Sequence, residues 1–174
     1  MTAVRHAPAL RTLHWVTFTL LVVAFALIWW REGLDDSDAR RSALAWHLTA
    51  GLCVLILTMA RLLFRTVGTT LPQQPGLTDK ERKASSVVHL SLYGLLLGTP
   101  VIGYLAVTTR GRAPGMFDAL SLPALLERNR DLAEVLQDWH EWLAFGLLAL
   151  AGLHLLGALY HHFVKKDGVL RSML

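Results

Sequence analysis

Apolar residues are pooled into four runs, at about 13–30, 43–64, 87–107 and 139–164. Each run is near the roughly 20 residues that a helix needs to cross a bilayer. Trp15, Trp29, Trp30, Trp46, Trp139 and Trp142 stand at the run ends, where indole rings favour the membrane interface. The polar connections differ in character. Residues 31–42 form a short link carrying Asp35, Asp36, Ser37 and Asp38. Residues 66–86 contain Pro72, Pro75 and Gly76 and end on a charged helix start. Residues 108–138 open with a turn-rich stretch around Gly111, Pro114 and Gly115. They continue into an amphipathic segment, Leu125, Leu126, Leu132, Val135 and Leu136, expected to lie as a helix on the outer interface. The pattern predicts an all-α fold, an integral membrane four-helix bundle that forms a single domain over residues 1–174.

Composition agrees. Hydrophobic residues make up 53% of the chain and charged residues 17%, against about 25% charged in a soluble domain. The first run is too long for a cleavable signal and lacks a small-residue cleavage pattern. Cys53 is the single cysteine, so there is no internal disulfide and no C-x-x-C-H for covalent haem attachment. Any haem would be held by coordination and packing alone.

Charge sets the expected orientation. Four crossings put both termini on one side, together with the 66–86 loop. That side carries ten basic residues: Arg5, Arg11, Arg61, Arg65, Lys80, Arg82, Lys83, Lys165, Lys166 and Arg171. The other carries seven: Arg31, Arg40, Arg41, Arg110, Arg112, Arg128 and Arg130. The basic excess predicts both termini in the cytoplasm and a multi-pass protein of the bacterial inner membrane.

The candidate chemistry lies in the histidines. Seven of the eight, His14, His47, His89, His140, His154, His161 and His162, fall within or at the ends of the apolar runs. An ionisable group at that depth is expensive and usually has a specific partner. Helix direction sorts them into an outer layer, His47 and His140, and an inner layer, His14, His89 and His154. His140 and His154 are 14 residues apart, which is about 21 Å of helix and about 40° short of four full turns. They therefore share a face at two depths. A low-spin b haem takes two axial nitrogens, and bundle interiors suit such sites. The layers predict two stacked haems. Zinc or copper would want three or four clustered ligands, and only Glu141 and Cys53 could join these histidines. Gly51, Gly94, Gly98, Gly103, Gly146, Gly152 and Gly157 leave room for a bulky planar group or for close helix packing.

At these residues the sequence resembles the bacterial cytochrome b561 family over essentially its whole length. The segments that carry the resemblance are Leu13-His14-Trp15, His47-Leu48-Thr49-Ala50-Gly51 with Arg61-Leu62, and His89 with Thr99-Pro100-Val101-Ile102-Gly103. In the last run they are Trp139-His140-Glu141, Gly152-Leu153-His154, His161-His162-Phe163 and Lys166-Asp167. The resemblance implies two non-covalent b haems, one held by His47 and His140 and the other by His14 and His154. It implies a quinone site near the inner haem with His161 and His89. Histidine suits that role, because it can bond a carbonyl and relay protons near neutral pH. Arg61 would pair an inner-haem propionate or reach the headgroups.

Family members of this length include the superoxide oxidase type, which takes electrons from superoxide outside and reduces ubiquinone. Arg110, Arg112, Arg128 and Arg130 would attract a small anion, or belong to a solvated loop of mixed charge. The expected partners are membrane lipid, quinone and superoxide or another one-electron donor, not nucleic acid. Two competing readings are an electron-transfer and anchor subunit of a larger hydrogenase- or dehydrogenase-type complex, and a structural or haem-handling membrane protein.

Overall fold

The computed structural model describes residues 7–67, 77–111 and 123–174. Four long helices dominate: α1 (Pro8–Glu32), α2 (Ser37–Val67), α3 (Asp79–Thr109) and α4 (Arg130–Tyr160). Among the described residues there is no strand. All four helices are long and apolar enough to cross a membrane.

The helix starts follow local chemistry. Pro8 opens α1, where a missing N–H goes unnoticed. Asp36 accepts from the amides of Asp38 and Ala39 at 2.9 and 2.7 Å, so α2 starts immediately after it. Thr78 and Glu81 form a reciprocal capping box at the start of α3. The Asn129 side chain accepts from Leu132 at 3.0 Å and starts α4. Its own amide bonds the Thr109 carbonyl at 3.0 Å, which ties the start of α4 to the end of α3.

These caps make the helices longer than the apolar runs. They also correct one expectation. Leu125 and Leu126 are not helical, and Leu132, Val135 and Leu136 belong to the first turns of α4. The segment is continuous with the spanning helix, because the Asn129 cap lets α4 start well before the apolar run does. Arg5, Pro72, Pro75, Gly76, Arg112, Pro114 and Gly115 lie outside the described residues.

Packing follows membrane logic. The buried apolar residues are mostly small: Ala24, Ala43, Ala50, Ala106 and Ala133, with Val54 and Leu147. Large apolar side chains point outward, with Leu90 and Trp142 each 74% exposed. Lipid solvates them as well as a core would, so close backbone approach governs association. Among the described residues α1 packs on α2, α2 on α3 and α3 on α4. Between α4 and either α1 or α2 there is no comparably close packing. That side of the bundle is bridged by histidines.

After α4 the chain continues as a π-helical turn, His161–Lys165. Lys166 then takes a left-handed conformation at φ 54° and reverses the chain. A short 3-10 turn follows at Leu170–Ser172, and the Trp15 indole donates to the Met173 carbonyl at 2.9 Å. Lys165 reaches the Glu81 carboxylate at 2.5 Å, joining the end of α4 to the start of α3.

Candidate haem and quinone sites

Two histidine groups occupy two levels of the bundle. At the far end, away from the start of α1, His47 on α2 faces His140 on α4 with ring centres 6.1 Å apart and planes at 88°. At the terminal end, His14 on α1 faces His154 on α4 with ring centres 6.3 Å apart and planes at 80°. An imidazole nitrogen sits about 2.0–2.1 Å from a bound metal and about 1 Å from its own ring centre, so a bis-imidazole centre holds the ring centres about 6 Å apart. Both pairs fit that span. His89 on α3 also approaches His154, at 5.1 Å, which is tighter than the same span. The spacing therefore favours His14 over His89 as the partner of His154.

The far pair is oriented by backbone. The Nδ1 of His47 is 2.9 Å from the Ala24 carbonyl of α1. The Nδ1 of His140 is 2.9 Å from the Thr99 carbonyl of α3. A carbonyl only accepts, so both Nδ1 atoms carry the proton and both Nε2 atoms keep the lone pair that iron requires. Each of these two histidines is thus aimed by a neighbouring helix that contributes no histidine to that pair.

Gly103 makes the second of these bonds possible. It lies one helical turn after Thr99, against the His140 ring. A Cβ placed there would sit 2.7 Å from His140 Cε1 and Nδ1. Only a hydrogen fits between α3 and that ring. Gly94, Gly98, Gly146, Gly152 and Gly157 face open space, and Gly51 lies at an ordinary 3.9 Å from Pro100. Close helix packing is therefore not what keeps those positions small.

The terminal-end pair is arranged differently. Arg61 turns into the bundle and places Nη1 3.1 Å from His14 Nδ1. Its guanidinium also lies 5.6 Å from the Tyr93 ring centre, with that of Arg65 at 5.9 Å. A guanidinium only donates, so Nδ1 accepts here and the His14 proton sits on Nε2. For His14 to offer Nε2 to iron, Arg61 must swing off Nδ1. The inner pair has the right spacing for haem, and the Nδ1 of His14 faces a cation where those of the far pair face carbonyls. His89 directs Nδ1–H to the Ser85 carbonyl at 2.7 Å, which leaves its Nε2 toward the histidine group.

His161 does not join that ring cluster. Its Nδ1 is 2.6 Å from Asp167 Oδ2, and its ring neighbour is Tyr160 at 5.8 Å. His162 stacks edge-on against Phe163 instead. Among the described residues no three His, Cys, Asp or Glu side chains converge to hold a bare metal ion.

Several contributors escape sequence reasoning. The Ala24 and Thr99 carbonyls have no sequence signature as proton holders. Gly103 stood among seven glycines, and its special position shows only once the His140 ring is placed. Arg31 lies close enough to His47 to act on it electrostatically, although it reads as an ordinary helix-end cation. Asp167 depends on a chain reversal that the apolar pattern does not register.

Comparison with known proteins matches this arrangement to one group. The profile described as prokaryotic cytochrome b561 matches residues 5–174. Cytochrome b561 homolog 2 of Escherichia coli (strain K12) is 30% identical over 162 residues, covering 92% of this chain and 86% of that protein. The probable superoxide oxidase CybB of Yersinia pestis is 32% identical over 166 residues, covering 93% of this chain and 91% of that one. Cytochrome b561 homolog 1 of Escherichia coli (strain K12) is 25% identical over 167 residues, with 93% and 92% covered. With four membrane-length helices and histidine pairs spaced for b haem, this chain belongs to the prokaryotic cytochrome b561 family and is a multi-pass haem protein of the bacterial inner membrane.

Proposed function

We propose that this chain is a superoxide:ubiquinone oxidoreductase that carries electrons inward across the membrane. His47 and His140 would hold an outer b haem, and His14 and His154 an inner one. The two pairs at 6.1 and 6.3 Å are the observation that carries the reading. Bound there, the haems supply two one-electron carriers in series. The chain's own residues do the rest. Ala24 and Thr99 fix the outer imidazoles in the ligating tautomer. Arg61, once off His14, would balance the charge of an inner-haem propionate.

The basic excess supports termini in the cytoplasm, which makes the His47–His140 pair the outer one. Arg31 beside His47, with Arg110, Arg128 and Arg130 near that end, favours an anionic donor. The relative named probable superoxide oxidase supports superoxide as that anion. His161 and His89 at the inner end would receive the quinone, with His161, when it holds both ring protons, donating Nε2–H to a carbonyl.

Purified protein tests this directly. Two haems per chain are expected, reduced by superoxide in stopped flow and reoxidised by a soluble ubiquinone. One haem per chain would sink the ligand assignment. Reduction only by a co-purifying subunit would favour the anchor-subunit reading instead.

A further inference from the structure

Asp167 and His161 form a pair that the two haem sites do not use. Asp167 lies six residues after His161. The π turn and left-handed Lys166 fold the chain back so that its carboxylate meets the ring. The Asp167 amide bonds the His161 carbonyl at 3.2 Å, which locks the reversal. Both side chains are largely sequestered, at 16% and 17% exposed. Oδ2 receives the His161 Nδ1–H at 2.6 Å, and Oδ1 receives the Val169 amide at 3.0 Å. Lys165 on the same turn is paired with Glu81 of α3.

A carboxylate in this position does two things. It fixes the Nδ1 tautomer, so that Nε2 is the atom available to a ligand. It also balances the positive charge of the ring while the ring holds both protons. We propose that Asp167 is the positioning residue through which His161 delivers protons to the quinone. This rests on the quinone reading above.

Reduction of a quinone to a quinol takes two electrons and two protons. The electrons reach the quinone from the redox groups of the bundle. At the carbonyl that His161 faces, the Nε2–H bond breaks as the quinone O–H bond forms, and the opposite carbonyl takes its proton from water at the membrane surface. The Nδ1–H stays with the ring, bonded to Asp167, and water at the membrane surface restores the Nε2 proton.

The test uses the full-length haem-loaded protein in lipid nanodiscs, reduced beforehand and mixed with either a soluble ubiquinone or ferricyanide. Ferricyanide takes an electron without a proton. Asp167→Asn should slow reoxidation by the quinone about 10- to 100-fold, the range for a residue that orients a functional histidine. Reoxidation by ferricyanide and both haem spectra should match the parent, and Asp167→Glu should recover part of the quinone rate. A parent-like quinone rate in Asp167→Asn would overturn the proposal, and so would equal slowing with both oxidants. If Asp167→Asn does not retain both haems, the same ratio of rates is read on Asp167→Ser. His161→Gln separates the two levels of inference. A parent-like quinone rate in that variant sinks the quinone reading itself. A slow rate there beside a normal rate in Asp167→Asn sinks only the role of Asp167.

Discussion

Single residues around the rings carry most of the specificity. Replacing Gly103 by alanine would put a methyl 2.7 Å from His140, and the neighbouring backbone of α3 cannot move without disturbing Thr99. The ring must rotate away from its carbonyl partner. Gly103→Ala should therefore lower the haem content from two per chain toward one, read by pyridine haemochrome assay, and remove one low-spin signal. Arg61 offers a second check. Arg61→Leu removes the cation beside the inner pair, and a haem held there should become harder to reduce, because a nearby positive charge favours the added electron. Redox titration should show one midpoint falling while the other stays. Arg61→Lys should recover only part of the difference, since a lysine lacks the planar fork.

At the level of the helix, capping decides where each element starts. Thr78→Ala should remove the side-chain acceptor for the Glu81 amide and cost about 1 kcal/mol, seen as a lower thermal midpoint in detergent with both haem spectra intact. Caps also explain what the sequence made legible. The four crossings follow from run length alone, and the two histidine depths follow from the interval between His140 and His154. The early start of α4 does not follow from apolar periodicity. Leu125 and Leu126 extend the Leu132–Leu136 pattern backward, and only the Asn129 side chain at 3.0 Å from the Leu132 amide says where the helix begins. The His161–Asp167 pair is further out of reach. It depends on a π turn and on a lysine in a left-handed conformation, a state that favours glycine and that residue type does not announce. The choice between His14 and His89 likewise needs distances, since both lie at one depth.

For the whole molecule, the lopsided basic charge is the main handle on topology. A green fluorescent protein fused after Leu174 should fluoresce and an alkaline phosphatase should stay inactive, because the former matures in the cytoplasm and the latter needs the other side. The opposite pattern would reverse the direction assigned to electron flow. The exposure of Leu90 and Trp142 has a related meaning. Small residues and the facing histidines hold the bundle together within lipid, so replacing one histidine pair should loosen the α4 side of the bundle.

Helix α4 contributes to both histidine pairs, whereas α1 and α2 each contribute to one. It acts as a ruler, with the residues between His140 and His154 as its graduations. Inserting one alanine between them turns the lower mark by about 100° relative to the upper. The protein could then satisfy one haem or the other but not both at once. Any lineage that keeps two carriers is therefore bound to keep that interval, while the loops at either end remain free to change length.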